Sequence, residues 1–235
     1  MIVLALAGYK GSGKDTAAEL LTKEWNYRRL AFADKLKQNV ANQYNINRSS
    51  LDDPKLKDSP LLSMPVVSTD RFTRNVLVFM AKEFAAGTGE KFDHAVFSTT
   101  TNQLLGVAAK DGKTTPLYWS PRALAILEGS TKRAVNPNYW VDYVIDQIKD
   151  PEVDTNENIV ITDLRYKSEV ARLKEVFGDN LVTARVVRND SMSQDPSERD
   201  LDDYEFDYYL YNKTGKAEFY SEVNSLSKIL ERSYV

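Results

Sequence analysis

The sequence predicts an α/β protein with a doubly wound, five-stranded parallel sheet flanked by helices. Two observations lead to this prediction. Short apolar runs typical of buried strands alternate along the chain with longer segments of helical periodicity, as in successive βαβ units. A glycine-rich turn follows the first of these runs, at the end of a strand where such sheets bind their ligands.

The first 44 residues predict two strands and two helices. Met1–Ala7 is a continuous apolar run that predicts a buried strand, and helical spacing follows from Thr16 to Trp25. Tyr27–Ala33 alternates as a second strand. Asp34–Tyr44 predicts a helix whose first acidic residue serves as its N-cap.

Residues 45–118 are expected to be an insertion in a single domain that spans residues 1–235. Three prolines within residues 45–69 indicate a long connection. Apolar residues on one face predict a helix from about Asp70 to Ala86. Glycines among threonine and valine then indicate a hairpin within residues 87–118.

The second half of the chain resumes the alternation of helices and strands. Ser120 and Pro121 predict a helix start, with serine as the cap and proline at the first helical position. The remaining elements are a helix from Asn136 to about Lys149, strands at Asn158–Asp163, Leu181–Val187 and Asp207–Asn212, and helices at Lys167–Phe177 and about Lys216–Arg232. Between the last two strands, the polar stretch Asn189–Asp203 has the composition of a small lid.

Composition narrows the class of ligand. The chain has 235 residues, no cysteine and a net charge of −3, so we expect no disulfides, no thiolate metal site and no nucleic-acid polymer as partner. No apolar run approaches the roughly 20 residues that cross a bilayer. The first residues lack the basic region of a signal peptide. A cytoplasmic protein with small-molecule partners is the expectation.

Residues 8–16 read Gly-Tyr-Lys-Gly-Ser-Gly-Lys-Asp-Thr and carry the strongest functional signal. Glycines allow a sharp turn, and successive N–H groups then point into one hollow at the positive end of the helix dipole. Gly8, Gly13 and Lys14 match the phosphate-binding pattern G-x-x-x-x-G-K-[ST], but Asp15 stands at the Ser/Thr position and Thr16 follows it. The turn predicts a nucleotide site and a P-loop NTPase fold. Asp15 is placed either for a metal-bound water or a substrate hydroxyl, or simply to complement the helix dipole.

A second group of polar residues follows a predicted central strand. Asp163 ends that strand and either orients Mg²⁺ or caps the next helix. Arg165 and Glu169 are four residues apart on one helix face, as a phosphate-binding arginine with its orienting carboxylate or as a surface ion pair.

Further cations lie where phosphate binding would explain them. Arg122 falls in the first turn of its helix, where the dipole disfavours a cation unless an anion is bound nearby. Lys37 and Arg71 are weaker candidates of the same kind, with a simple solvated charge as the alternative for each. Arg188 and Arg199 frame the predicted lid, and lid arginines can neutralise charge during phosphoryl transfer. A disordered acidic loop is the alternative for this stretch.

Together, these residues resemble the deoxynucleoside monophosphate kinases of tailed bacteriophages. The resemblance extends over most of the chain, although residues 45–118 contain no matching motif. Order and spacing agree for Gly8–Thr16, Ala33–Lys37, Trp119–Arg122, Asn136–Val141, Thr162–Arg165 with Glu169, Arg188, Ser197–Glu198 and Asn212. Phosphomevalonate kinases of the animal type are also similar in the Ser-Gly-Lys-Asp loop.

The resemblance implies Mg²⁺-dependent transfer of the γ-phosphoryl group of ATP to a deoxynucleoside 5′-monophosphate. By position, ATP would be bound by Gly8, Gly11, Ser12, Gly13, Lys14, Asp15, Thr16, Arg188 and Asn212, and Mg²⁺ by Thr16 and Asp163. The acceptor site would comprise Lys37, Arg122, Asp163, Arg165 and Glu169. The catalytic residues would be Lys14, Asp15, Arg122, Asp163 and Arg165. Residues 45–118 would shape the acceptor site, and residues 189–203 would close over the ATP phosphates.

Two other readings stay open. The chain could be another small-molecule kinase, acting on phosphomevalonate or a nucleoside, or a regulatory ATPase without a metabolite acceptor. The sequence also leaves open which bases are accepted and whether the protein is a homodimer, as members of the family often are.

Overall fold

A computed structural model describes residues 1–61, 119–150, 157–188 and 199–233, and the structural statements below concern these ranges. The helix predicted from Asp70 to Ala86, the hairpin in residues 87–118 and residues 189–198 of the predicted lid lie outside them. Among the described residues, no helix combines the length and apolarity needed to span a membrane.

Five parallel strands form one sheet, as predicted. The strands are β1 (Val3–Ala7), β2 (Tyr27–Leu30), β3 (Asn158–Leu164), β4 (Leu181–Val187) and β5 (Tyr208–Tyr211). Their order across the sheet is β2-β3-β1-β4-β5, and every neighbouring pair is parallel. β1 is therefore central, and the carboxyl ends of all five strands point to the same edge.

The described residues contain six α-helices. They are α1 (Lys14–Glu24), α2 (Phe32–Tyr44), α3 (Pro121–Val135), α4 (Tyr139–Lys149), α5 (Lys167–Phe177) and α6 (Lys216–Ser233), with a 3₁₀ turn at Arg48–Leu51. The predicted start of α3 is confirmed, because Ser120 accepts a hydrogen bond from the Ala123 amide and Pro121 is the first helical residue. The bounds predicted for α5 and β4 are also confirmed.

The predicted boundary between β2 and α2 is wrong by three residues. β2 ends at Leu30 and α2 begins at Phe32, so Asp34 lies in the first turn of the helix rather than at its cap. The Phe32 amide donates to the carboxylate of Asp163, 2.9 Å away. This contact satisfies one of the amide groups that a helix start leaves without a partner inside the helix.

The alternation of side chains along the strands divides the apolar core between the two faces of the sheet. On one face, residues such as Leu4 and Leu6 of β1 pack in a single buried cluster with α1 and α6, including Leu21 and Phe219. On the opposite face, Val3 and its partner in β3, Ile159, are likewise fully buried. A continuous apolar run such as β1 is explained by burial on both faces.

The chain divides into two compact units. One comprises residues 1–32 and 141–235 and contains the whole sheet; the other comprises residues 33–140. The expected insertion, residues 45–118, falls within the second unit. The single domain expected from the sequence stays a prediction.

Candidate functional site

The turn between β1 and α1, residues 8–13, is called the glycine-rich loop here. Its backbone closes through a hydrogen bond from the Ser12 amide to the Tyr9 carbonyl, with 3.1 Å between the two atoms. All three of its glycines have positive φ angles. The loop leads into α1, which places the N-terminus of that helix directly after it.

Close packing limits the space at two of these glycines. A Cβ atom on Gly8 would lie 2.4 Å from the backbone oxygen of Val186 in β4. A Cβ atom on Gly13 would lie 2.6 Å from the side-chain nitrogen of Asn212. The loop therefore fits against β4 only without a side chain at Gly8, whereas a side chain at Gly13 would have to displace the Asn212 amide.

The Lys14 ammonium folds back against the glycine-rich loop. Its Nζ atom donates to the carbonyl oxygens of Gly8 and Tyr9, at 2.6 and 3.1 Å. A full positive charge thus lies beside a turn whose backbone amides and helix dipole already favour anions.

A buried hydroxyl group lies in the same loop without a hydrogen-bond partner. Ser12 is 4% exposed, and its Oγ atom forms no hydrogen bond in the structure. The same atom would lie 2.8 Å from a Cβ atom on Gly8, so it faces the inside of the turn. Buried hydroxyl groups are nearly always satisfied, so an exception of this kind calls for a partner such as a water molecule, an ion or another polar group.

The next two residues lie in the first turn of α1. The Asp15 side chain is 87% exposed, and its carboxylate lies 3.9 Å from the guanidinium of Arg29. Thr16 is half-buried. Both of the roles that the sequence left open for Asp15 stay open, because an exposed first-turn acid suits either.

Asp163 lies at the same edge of the sheet as the glycine-rich loop. β3 is the neighbour of β1, and Leu164 pairs with Ala7, the residue that precedes the loop. Asp163 is half-buried and accepts the hydrogen bond from the Phe32 amide described above. It does not cap the following helix, because the N-cap of α5 is Tyr166.

Glu169 supports the backbone at the start of α5. The carboxylate is only 5% exposed, and its Oε2 atom accepts from the Arg165 and Tyr166 amides at 2.9 and 3.0 Å. Arg165 itself is exposed. The structure therefore connects Glu169 to the backbone of Arg165, which fixes where that side chain begins.

Arg188 and Asn212, at the ends of β4 and β5, both contact the glycine-rich loop. A guanidinium nitrogen of Arg188 donates to the Gly11 carbonyl at 3.1 Å. The side-chain amide of Asn212 donates to the Ser12 carbonyl at 2.8 Å. The structure thus brings these two predicted residues together with the loop.

Lys37 and Arg122 belong to the second unit and pair with carboxylates there. The Lys37 ammonium lies 2.7 Å from Asp52. Although burial alone would raise the pKa of Asp52, its contacts with Lys37 and Arg48 hold that pKa below its usual value. Arg122 forms a two-pronged ion pair with Asp58.

The sequence analysis did not find a hydrogen-bonded cluster that includes Tyr9 of the glycine-rich loop. The Tyr9 hydroxyl donates to a carboxylate oxygen of Asp202 at 2.7 Å, and Arg185 of β4 donates to the same oxygen at 2.6 Å. Burial and the neighbouring carboxylate raise the pKa of Tyr9. Tyr9 occupies a variable position of the loop motif, and 193 residues separate it from Asp202, so no local pattern connects them.

No group of three His, Asp or Glu side chains that could hold a metal ion is found within the described parts of the chain. Mg²⁺ differs from metals held in protein cages, since it usually keeps one or two carboxylates together with water and substrate phosphates. The Thr16 hydroxyl, in the first turn of α1, and the Asp163 carboxylate, near the end of β3, offer oxygen atoms of this type.

The described fold and site define an α/β protein with a glycine-rich loop at the edge of a parallel sheet. No known family model matches the chain. Over 94 residues it is 30% identical to the "Uncharacterized protein ORF76" of Ictalurid herpesvirus 1 (strain Auburn), a match that covers 39% of this chain and 39% of the viral protein. The chain therefore spans about two fifths of that relative's length. The crystal structure of TT1252 from Thermus thermophilus is similar with a TM-score of 0.41 and 17% identity, over 98% of this chain and 97% of that one.

Proposed function

We propose that the protein is a P-loop kinase that transfers the γ-phosphoryl group of ATP to deoxynucleoside 5′-monophosphates. The observation that carries this proposal is the glycine-rich loop between β1 and α1, with Lys14 folded against it and the buried Ser12 hydroxyl unpartnered inside it. The motif resemblance to the monophosphate kinases of tailed bacteriophages supports the choice of acceptor.

The loop suits a polyphosphate for electrostatic reasons. Backbone amides at a helix N-terminus act as fixed partial positive charges, and Lys14 adds a full positive charge. Arg188 contributes another cation in direct contact with the loop at Gly11. A triphosphate carries enough negative charge to interact with the backbone amides, Lys14 and Arg188 at the same time.

The oxygen atoms of the Thr16 hydroxyl and the Asp163 carboxylate are of the type that Mg²⁺ prefers. In the proposed enzyme these two residues would hold the ion, which would supply neutralisation of phosphate charge. Asp163 also keeps its contact with the Phe32 amide.

The acceptor requires cations more than a general base, because its attacking phosphate oxygen is already an anion. The obstacle to reaction is the approach of two polyanions, which positively charged side chains lower. In the first unit, Arg165 supplies such a charge from a backbone position that Glu169 fixes. Lys37 and Arg122 belong to the second unit, where each pairs with an aspartate, and their part in acceptor binding rests on the motif resemblance alone.

The test is a coupled assay of ADP release with purified protein, ATP, Mg²⁺ and a panel of deoxynucleoside monophosphates, nucleosides and phosphomevalonate. We expect ADP release that depends on a deoxynucleoside monophosphate. Lys14→Ala should abolish turnover, whereas Lys23→Ala should not, because Lys23 is exposed on α1 and pairs with Glu19 of the same helix. Slow hydrolysis that ignores every acceptor would instead identify a regulatory ATPase. Normal rates in Lys14→Ala would refute the proposal.

A further inference from the structure

The hydrogen-bonded cluster described above joins three side chains of the first unit. Tyr9 comes from the loop, Arg185 from β4 and Asp202 from the segment before β5. Besides its bond to Asp202, Arg185 donates to the Leu201 carbonyl at 2.8 Å. The side chains of Arg185 and Asp202 are only 15% and 21% exposed, so the three groups interact largely away from water.

The cluster also has an aromatic part. The Arg185 guanidinium lies 5.1 Å from the ring centre of Tyr9 and 5.7 Å from that of Phe206. These distances are within the range of cation–π attraction. The ring of Tyr9 is therefore fixed twice, by its hydroxyl on Asp202 and by its contact with Arg185.

Asp202 is itself held in place by its own segment. Its amide donates to the Arg199 carbonyl at 3.0 Å, and the Tyr204 amide donates to the Leu201 carbonyl at 3.2 Å, so consecutive turns surround it. The Arg199 side chain lies 3.8 Å from the second carboxylate oxygen. Although burial alone would raise it, hydrogen bonds from Arg185 and Tyr9 lower the pKa of Asp202, so at neutral pH the residue is an anion with fixed partners.

The backbone of Tyr9 connects this cluster to the phosphate site. The carbonyl of Tyr9 accepts both from the Ser12 amide, at 3.1 Å, and from the Lys14 ammonium, at 3.1 Å. The position of this one carbonyl thus influences both the closure of the loop and the position of its lysine. Contacts that fix the Tyr9 side chain therefore restrict both the closure of the loop and the position of Lys14.

We infer that Asp202 holds the glycine-rich loop in its nucleotide-binding conformation through the hydroxyl of Tyr9. Tyr9 and Asp202 are then positioning residues for the ATP phosphates, which they do not touch. This inference rests on the proposed function only in its kinetic consequence, because the shape of the loop can be measured without nucleotide. It also gives residues 199–203, the described end of the predicted lid, a role in arranging the loop.

Tyr9→Phe is the most direct test, since it removes one hydroxyl and keeps the ring over Arg185. Tyr209→Phe is the matched control, because Tyr209 is 45% exposed on the neighbouring β5. In nucleotide-free protein, amide exchange measured by NMR at Ser12 should become about tenfold faster in Tyr9→Phe, the loss expected for a hydrogen bond to a charged group. It should stay unchanged in the control. Ser12 exchange in Tyr9→Phe that equals wild type would overturn the inference.

Kinetics distinguish positioning from a general loss of stability. Tyr9→Phe should raise the KM for ATP about tenfold, with kcat and the KM for the acceptor within about twofold of wild type. A merely destabilised protein would instead lose kcat at unchanged KM for ATP, and that result would overturn the inference. If wild-type protein has no kinase activity, the proposed function fails, while Ser12 exchange still decides whether Tyr9 holds the loop.

Asp202→Asn provides an independent check on the partner of Tyr9. The amide keeps the size of the carboxylate and an acceptor oxygen but loses the charge, so the bond from Tyr9 weakens. If Tyr9 acts through Asp202, Tyr9→Phe should change Ser12 exchange less in the Asp202→Asn background than in wild type. Fully additive effects would show that Tyr9 acts without Asp202.

Discussion

Replacing Gly8 by alanine tests how closely the glycine-rich loop packs on the sheet. The new Cβ atom would lie 2.4 Å from the backbone oxygen of Val186, at least 0.6 Å inside the 3.0 Å limit that real Cβ atoms respect. That oxygen belongs to β4, which is hydrogen-bonded to strands on both sides, so it cannot swing away as a flexible side chain would. Gly8 also has a φ angle of +140°, a conformation that L side chains rarely adopt.

Two costs follow for Gly8→Ala, and only one of them arises for Gly11→Ala. The positive φ angle costs about 1–2 kcal/mol at either position. The clash adds about 1–3 kcal/mol, the usual cost of overpacking, at Gly8 alone, because a Cβ atom on Gly11 meets nothing within 4 Å. The expected loss in free energy of unfolding is about 2–5 kcal/mol for Gly8→Ala and about 1–2 kcal/mol for Gly11→Ala.

Urea unfolding followed by circular dichroism and tryptophan fluorescence measures both losses. Trp25 packs against the core cluster between the sheet, α1 and α6, so its fluorescence reports the unit that carries the loop. The midpoints should fall in the order wild type, Gly11→Ala, Gly8→Ala, at a similar dependence on urea. Equal losses for the two variants would refute the argument, because they would mean that β4 yields to the added methyl group at no cost.

Three further predictions address the proposed acceptor site, the proposed metal site and the alkaline limit of stability. Arg165→Ala should raise the KM for the acceptor about tenfold or more at nearly unchanged KM for ATP in steady-state assays, and a selective loss of ATP affinity would contradict its assignment. Asp163→Asn should lower kcat at least about a hundredfold yet keep the melting temperature, since an amide oxygen can still accept from the Phe32 amide; parallel losses in kcat and melting temperature would indicate a structural role instead. Burial raises the pKa of Tyr27 from 10.0 to about 12, so the folded state disfavours ionisation of its hydroxyl group. The stabilisation by neutral Tyr27 is complete below pH 10. The free energy of unfolding should therefore fall by about 2–3 kcal/mol between pH 10 and 12. Tyr27→Phe should lack that part of the decline in urea titrations, and identical pH profiles would refute it.

Local sequence patterns predicted the helices and strands that depend on a local hydrogen bond or on the burial of apolar side chains. The cap at Ser120 and the apolar runs of β1, β3 and β4 depend on residue types that are visible in sequence. The start of α2 could not be predicted in the same way. It depends on a hydrogen bond from Phe32 to Asp163, 131 residues away, and the periodicity of Tyr27–Ala33 continues past the real end of the strand.

Glu169 shows why the sequence can single out a residue and still give an incomplete account of its contacts. Its spacing from Arg165 predicted a pairing of side chains, while the structure shows its carboxylate accepting backbone amides at the start of α5. The usual sequence signal for that arrangement is Ser, Thr or Asp at the N-cap with Glu three residues later. Here Tyr166 is the N-cap, so the sequence lacks the usual residue type at that position. Glu169 nevertheless accepts the backbone amides as it does in that motif.

The order of the strands explains why the sequence could predict the candidate residues at the strand ends but not the contacts that they form. Asp163, Arg188 and Asn212 each lie at or just after the end of a strand, and a parallel sheet brings all such ends to one edge. Which of them meet the glycine-rich loop depends on β1 lying between β3 and β4, and this order is not encoded in any local pattern. Once β1 is central, the ends of β3 and β4 lie on either side of the loop, and the side chains from β4 and β5 complete their hydrogen bonds on its carbonyl groups. Moving β1 to an edge would preserve every motif in the sequence and leave the loop with a neighbouring strand end on one side only, so the proposed phosphate site is a property of the topology as much as of the motif.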